Sequence, residues 1–168
     1  TYDFELKNGQ KVLIRPIMPE DEPLEKELMS MLSKRSQYYR FFGYIGEVTH
    51  EMLIRYTQID YDRELALVGL LEEDGQQHIA GVVRIVADAN NDTAEFAILV
   101  ADKWQGMGLG NKFTDLILAI AKERGIGKIY ASVLSANTIM LHMFRKRGFD
   151  LRRVDLETMS AEFNLNAV

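Results

Sequence analysis

Three glycines between a predicted strand and a predicted helix constrain this fold more than any other feature of the sequence. Gly106, Gly108 and Gly110 follow the apolar stretch 93–100 and precede apolar residues at helical spacing, namely Leu109, Phe113, Leu116, Ile117 and Ile120. Glycine permits positive φ angles and lets backbone N–H groups approach a ligand closely. Because a helix N-terminus adds unpaired donors and a partial positive charge, the loop predicts a phosphate-binding site.

Other structures and sites share features with this loop. Glycine content alone is also compatible with a simple tight turn from strand to helix. The G-x-G-x-x-G spacing of a dinucleotide fingerprint is absent, and a Walker A loop is excluded because no Gly-Lys-Ser or Gly-Lys-Thr follows. The loop therefore indicates a phosphate cradle without identifying the phosphate.

Hydrophobic periodicity divides the chain into extended and helical segments. The predicted strands are 12–15, 64–71, 78–87, 93–100, 128–134, 149–154 and 158–165. Four helices are predicted. The first opens at 19–23, the second runs from 49 to 56 with Thr49 as N-cap, the third follows the glycine loop, and the fourth runs from 137 to 147. Turns at 72–75 and 88–92 predict an antiparallel meander, and a helical crossover should make strands 93–100 and 128–134 parallel. The expected class is α/β (mixed α+β), a mostly antiparallel mixed sheet with one parallel strand pair flanked by helices.

Composition and charge limit the partners of the protein. The length fits one domain over 1–168, and Thr1 in place of Met suggests that this domain comes from a longer chain. The absence of cysteine excludes thiol catalysis and disulfides and fits a reducing cytoplasm. A net charge of −5 without a long basic stretch disfavours nucleic acid, and no apolar run reaches the about 20 residues that span a bilayer. We expect a cytoplasmic protein without nucleic-acid or membrane partners, while its oligomeric state is not indicated.

Two blocks of the sequence resemble the GNAT superfamily of acetyltransferases. The family's loop, Gln or Arg followed by x-x-Gly-x-Gly or Ala, matches residues 105–110. Its second block, an Asn that opens a helix ending in a Gly-Phe pair, matches Asn137 through Gly148 and Phe149. The block separation and the element order agree with the family across the whole chain. Shorter matches resemble bacterial protein-lysine acetyltransferases, namely Arg15-Pro16 with Pro19-Glu20-Asp21, Tyr39-Arg40-Phe41-Phe42 and Ala94-Glu95-Phe96-Ala97.

The resemblance implies that acetyl-CoA is bound as the acyl-donor cosubstrate. The amides expected at its pyrophosphate are those of Gly106, Met107, Gly108, Leu109, Gly110 and Asn111. The strand end expected to pair with its pantetheine arm consists of Ile98, Leu99 and Val100. Gln105 would brace the loop, and Asn137 would reach the pantetheine arm, although an Asn at a helix start is commonly only a cap. No metal is expected, since His50, His78 and His142 lack metal-ligand spacing.

Glu95 is the expected general base. Direct transfer needs a neutral amine, and a lysine ammonium, with a pKa of about 10.4, must first lose a proton. Glu95 lies in an otherwise apolar strand, where burial would raise the pKa of a carboxylate, and the resemblance points to the same residue. The alternative is a strand glutamate directed to solvent. Its alternation with Ala97 and Leu99 argues against full exposure.

The general acid is not identified by the sequence. Relatives carry a tyrosine four residues before the terminal glycine of the second block, where this chain has Phe144. Solvent, another group or unaided departure of the thiolate could each replace it. A cluster of aromatic residues is expected to pack in the core, with the acceptor entrance as the alternative position: Tyr38, Tyr39, Phe41, Phe42 and Tyr44.

The sequence therefore predicts an N-acetyltransferase that moves an acetyl group from acetyl-CoA to an amine. A protein lysine side chain is the first choice of acceptor. A small-molecule amine acetyltransferase and a non-catalytic acyl-CoA-binding sensor domain are the alternatives.

Overall fold

The computed structural model describes residues 1–43 and 45–166 of the chain. Within them, eight strands form one sheet in the order β1-β2-β3-β4-β5-β6-β8-β7. The strands are β1 (Tyr2–Glu5), β2 (Lys11–Pro16), β3 (Glu64–Glu73), β4 (Gln76–Ala87), β5 (Thr93–Val100), β6 (Lys128–Leu134), β7 (Asp150–Arg153) and β8 (Thr158–Asn164). The helices are α1 (Glu22–Ser30), α2 (Lys34–Phe41), α3 (His50–Thr57), α4 (Leu109–Glu123) and α5 (Thr138–Lys146). Short 3-10 turns occupy Pro19–Asp21 and Asp102–Trp104.

The predicted mixed α/β class is confirmed. β5 and β6 are parallel, whereas the other neighbouring strands are antiparallel. The patterns missed β1, which is a short and largely exposed edge strand, and α2, in which Ser36 is the one buried residue. The turn between β3 and β4 is tighter than predicted and consists of Asp74 and Gly75, both with positive φ. Such angles at both central residues match the twist of a two-residue hairpin.

Two glycines in the central strands allow α4 to pack closely on the sheet. A Cβ atom at Gly81 would lie 2.7 Å from the Leu99 carbonyl oxygen and 3.0 Å from the Phe113 ring. A Cβ atom at Gly69 would lie 3.1 Å from the same ring, which is fully buried. Because the glycine loop leads directly into α4, this packing fixes the start of the helix beside the end of β5.

The opposite face of the central strands is covered by the N-terminal helices. Arg84 of β4 lies against Glu25 of α1, while Gly81 of β4 faces Phe113 of α4. Residues three apart in a strand point to opposite faces, so α1 and α4 lie on opposite sides of the sheet.

β5 and β6 pair only at their beginnings. Their matched residues are Thr93 with Lys128, Ala94 with Ile129, and Glu95 with Tyr130. Beyond Glu95 the strands separate, and β6 continues to pair with β8 along its whole length. The second half of β5 therefore has one edge without a strand partner, and a cleft opens along it.

Candidate active site

A cleft between α2, the second half of β5 and the start of α5 brings together most of the residues predicted to bind the cofactor. It has a volume of about 330 Å³, which lies in the range of small-molecule sites. Its walls include Ile98, Leu99, Val100, Gln105, Gly106, Leu109, Gly110 and Asn137. Met107, Gly108 and Asn111, which were also predicted, do not line it. We call this space the donor cleft.

The free edge of β5 offers backbone groups of alternate residues to the donor cleft. Ala101 N donates to Ala80 O at 2.8 Å, on the side of β4. Hydrogen-bonding residues alternate along an antiparallel pair, so Leu99 also bonds toward β4, while Ile98 and Val100 direct their backbone groups to the cleft. An extended amide chain could pair with Ile98 and Val100, whereas Leu99 contributes its side chain to the wall.

The glycine loop ends at a helix N-terminus that no side chain caps. Gly106 and Gly108 have φ angles of 74° and 97°, and Gly108 is the N-cap of α4. Lys112 N donates to Gly108 O at 3.1 Å, so the N–H groups of residues 109–111 precede the helical hydrogen-bond series. Met107 packs its side chain on the core and accepts from Lys7 N through its carbonyl oxygen, which explains why it is absent from the cleft wall. Free N–H groups at such a position suit bound phosphates.

A hydrogen-bond network joins this loop to the N-terminus of α2. Gln105 Nε2 donates to Val100 O at 2.9 Å and to Ser36 Oγ at 3.1 Å. Ser36 Oγ donates to the Asp102 carboxylate at 3.0 Å, and the same carboxylate accepts from Ser33 N and Ser33 Oγ at 3.0 and 2.7 Å. Burial opposes the charge of Asp102, but the hydrogen bonds from Ser33 and Ser36 outweigh it and lower its pKa. Gln105 therefore braces the loop and couples it to α2.

A second cavity of about 380 Å³ adjoins the donor cleft and is lined by Glu95. We call it the acceptor cavity. Five residues line both spaces: Tyr39, Arg40, Ile98, Asn137 and Met140. The two cavities therefore meet between α2, β5 and the start of α5, and molecules bound in them would come into contact at this junction.

Glu95 is exposed, so the expectation that its apolar neighbours bury it is wrong. Its cross-strand neighbours on the same face, Val86 and Tyr130, are also exposed, by 40% and 37%. The N-terminal helices thus cover the sheet face at Leu99 but not at Glu95. Glu95 therefore lies on the acceptor cavity at a position that water can reach.

A buried charged cluster lies beside the acceptor cavity, and the sequence patterns did not indicate it. Glu25 and Arg84 are 2% and 8% exposed, with Arg84 Nη2 3.6 Å from Glu25 Oε1. Among the described residues, Glu25 Oε2 and Arg84 Nη2 lack a hydrogen-bond partner. Burial raises the pKa of Glu25 against the opposing charges of Arg84 and Arg40. Burial also lowers the pKa of Arg40, whereas the negative charges of Glu25 and Glu95 act to raise it.

Asn137 is the N-cap of α5, and Phe144 lies near the end of this helix. Asn137 Oδ1 accepts from Met140 N at 3.3 Å, so Asn137 caps the helix while it also lines both cavities. Capping the helix and reaching the pantetheine arm are therefore compatible roles for Asn137. Phe144 is fully buried, with its ring centroid 5.4 Å from that of Phe96 and 4.5 Å from that of Phe149.

The aromatic residues of the α2 region divide between the acceptor cavity and positions away from it. Tyr39 and Phe42 line the acceptor cavity. Phe41 packs against Tyr56, with ring centroids 6.4 Å apart, and Tyr38 lines neither the donor cleft nor the acceptor cavity. Tyr44 lies outside the described residues.

Residues 1–43 and 45–166 contain no helix that is both long and apolar enough to cross a membrane. The same residues hold no group of three or more His, Asp or Glu side chains placed to bind a metal ion.

Comparisons with known proteins agree with this geometry. Residues 28–149 match the sequence model of the Acetyltransferase (GNAT) family. The chain is 32% identical over 144 residues to acetyltransferase PA5475 of Pseudomonas aeruginosa. This alignment covers 86% of the present chain and 77% of PA5475. The structure of the present chain is similar to that of the GNAT domain of S. lividans PAT. The TM-score is 0.85 and the identity 30%, with 97% of this chain and 96% of that chain covered. The structure of yncA from Salmonella typhimurium with its cofactor acetyl-CoA shares the fold, with a TM-score of 0.72, 18% identity, and 94% and 95% covered.

Proposed function

Because the chain belongs to the GNAT family of acetyltransferases, we propose that it moves the acetyl group of acetyl-CoA to a protein lysine, with Glu95 as general base. Family membership makes the chain an acyl-CoA-dependent N-acetyltransferase. The steps proposed beyond the family are that the acceptor is a protein lysine and that Glu95 is the base. The observation that carries it is the junction of the two cavities. The glycine loop borders one cavity and Glu95 borders the other.

Acetyl-CoA would occupy the donor cleft. Its pyrophosphate would accept hydrogen bonds from the N–H groups at the start of α4, where the helix dipole favours negative charge. Its pantetheine arm would pair with Ile98 and Val100 as an added strand and pass Asn137. This path brings the thioester to the junction with the acceptor cavity.

The acceptor amine would attack the thioester carbon from the acceptor cavity. At neutral pH a lysine side chain is mostly protonated, so the reaction needs a group that takes its proton. Glu95 would accept this proton directly or through a water molecule, and its exposure allows it to release the proton to solvent. Arg40 lines the junction, where its positive charge would favour the negative charge that develops on the thioester oxygen.

A protein acceptor is supported by the surface around the acceptor cavity. The cavity is lined by Phe42, which is 41% exposed, and by the exposed Glu95, and the exposed Tyr130 lies on the next strand. An open entrance with aromatic side chains suits a lysine presented on a protein surface. The sequence resemblance to protein-lysine acetyltransferases and the similarity to the PAT domain also favour this acceptor.

The test is acetyl transfer from labelled acetyl-CoA to a panel of proteins and small amines, with wild type, Glu95→Gln and Glu162→Gln. Glu162 is a matched control because it is an exposed glutamate whose cross-strand partner, Tyr130, is also the partner of Glu95. We expect protein lysines to be labelled and Glu95→Gln to lower kcat about 100-fold or more, since general bases contribute about 10²–10⁴-fold. KM for acetyl-CoA should change little, because Glu95 lies outside the donor cleft. Glu162→Gln should retain wild-type kcat.

Other results would contradict separate parts of the proposal. Wild-type kcat in Glu95→Gln would remove Glu95 from the mechanism. Labelling of small amines alone would replace the protein acceptor with a metabolite. Binding of acetyl-CoA without transfer to any amine would support a sensor domain.

A further inference from the structure

We propose that Tyr39 donates the proton that the CoA thiolate takes up as it leaves. This inference rests on the proposed acetyl transfer and assigns its missing acid. The need for one comes from the leaving thiolate, to which the α5 residues on the acceptor cavity, Met140 and Phe144, cannot give a proton. Phe144 has no hydroxyl group and is packed between Phe96 and Phe149, so α5 supplies no proton there.

Tyr39 is the acid that remains after elimination among the described residues at the junction. Of the five residues that line both cavities, Ile98 and Met140 carry no acidic hydrogen. A guanidinium such as that of Arg40 keeps its proton in proteins, and the amide of Asn137 is not an acid. The phenolic hydroxyl of Tyr39 can both donate a hydrogen bond and transfer its proton.

The hydroxyl group of Tyr39 is held at the junction by a weak contact. Tyr39 Oη donates to Ala136 O at 3.3 Å, immediately before Asn137, the residue expected beside the pantetheine arm. An O–H···O bond usually measures about 2.7–2.8 Å, so this one is long and little is lost when the hydroxyl turns to another acceptor. A thiolate arriving along β5 would be such an acceptor.

The position of Tyr39 is coupled to the cofactor loop. Tyr39 lies on α2, whose N-terminus is bound to Asp102 through Ser33 and Ser36. Gln105 of the loop donates to Ser36 of the same helix. The loop that would hold the pyrophosphate and the helix that carries Tyr39 are therefore placed relative to each other by one network.

The proposed step balances in atoms and charge. The lysine ammonium first loses one proton to water through Glu95. The resulting neutral nitrogen forms a bond to the thioester carbon and passes a second proton to Glu95. The carbon–sulfur bond then breaks, its electron pair goes to sulfur, and the Tyr39 hydroxyl proton follows to give the free thiol of CoA. The tyrosinate recovers a proton from water, to which Glu95 releases the proton taken from the amine. Arg40, which lines the same junction, favours the transient negative charges on sulfur and on the phenolate.

The test compares Tyr39→Phe with Tyr38→Phe, a change of the same kind on the neighbouring residue, which lines neither cavity. The first measurement is steady-state transfer, in which we expect Tyr39→Phe to lower kcat at least tenfold with little change in KM for acetyl-CoA. The second is the pKa of the thiol of enzyme-bound CoA, followed by the ultraviolet absorbance of the thiolate as pH is raised. A hydrogen bond from Tyr39 stabilises the thiolate, so its removal should raise this pKa, and Tyr38→Phe should leave both quantities unchanged.

The titration separates this inference from the proposed function, because it requires CoA binding but no acetyl transfer. Wild-type kcat in Tyr39→Phe, or a lower kcat with an unchanged thiol pKa, would overturn the role of Tyr39 as acid. A raised KM with unchanged kcat would also overturn it and leave Tyr39 as part of the cofactor wall. If wild type transfers acetyl to no amine while the thiol pKa still depends on Tyr39, the proposed function fails and the hydrogen bond to sulfur stands.

Discussion

Replacement of Gly110 by alanine should strengthen the fold and weaken the cofactor site at once. Gly110 is the second residue of α4, it has no positive φ angle, and it lines the donor cleft. A Cβ atom there would have Ile98 Cδ1 as its nearest contact, at 3.9 Å, which is ordinary van der Waals distance. The added methyl group therefore meets no clash within the protein and instead occupies space in the cleft.

The magnitude follows from the helical position of Gly110. Glycine is less favourable than alanine in a helix by about 0.8–1.0 kcal/mol, and near the helix start we expect a gain of about 0.5–1 kcal/mol. For a chain of this size that raises Tm by about 1–4 °C. Because the phosphates would approach the backbone here, we expect at least about tenfold weaker CoA binding, equivalent to about 1.4 kcal/mol.

The assay is thermal unfolding without ligand, together with calorimetric titration of CoA. Gly125→Ala is the matched control at the other end of α4, where φ is 80° and no atom lies within 4 Å of the added Cβ. It should lose about 1–2 kcal/mol through backbone strain and retain wild-type affinity. Unchanged affinity in Gly110→Ala would refute the placement of the phosphates at the start of α4. A loss of stability would refute the unstrained helical position of Gly110.

Two further predictions concern the framework of the site. Gly81→Ala should cost about 1–3 kcal/mol in urea denaturation, because its Cβ would lie 2.7 Å from the Leu99 carbonyl oxygen of β5; stability equal to wild type would contradict the close approach of these strands. Asp102→Asn should destabilise the protein at pH 7, and the difference from wild type should shrink as pH falls below about 4. The pKa of Asp102 is lowered in the fold, so its stabilisation is present above the unfolded value of about 3.9 and is lost as pH falls through the folded value. A difference independent of pH would contradict this account.

Local patterns were sufficient for the elements that carry the donor site. β5 and β6 begin and end where apolar spacing predicted, and Thr49 and Asn137 cap their helices through side-chain oxygens. The glycine loop could also be predicted, since positive φ at Gly106 and Gly108 is a requirement of the backbone itself. Each of these features depends on residues close in sequence, which a pattern records directly.

Features that depend on coverage by distant segments could not be predicted in the same way. The alternation in β5 indicates which residues share a face with Glu95, but not that α1 and α2 cover Leu99 and leave Glu95 open. The burial of Glu25 also depends on a distant segment. A glutamate in the first turn of a helix is ordinarily a surface residue, but here β4 places Arg84 against Glu25.

The sequence by itself determined the order of the elements apart from β1 and α2, together with the parallel pairing of β5 and β6. It also predicts that the loop between β5 and α4 binds phosphate. The tertiary structure alone decided that these two strands separate after Glu95 and that α2 brings Tyr39 and Arg40 to the gap. The physical reason is that a backbone turn or a helix start is fixed by steric and hydrogen-bonding rules over a few residues. A junction between cavities forms only where segments far apart in the chain pack together, and no local period encodes that meeting.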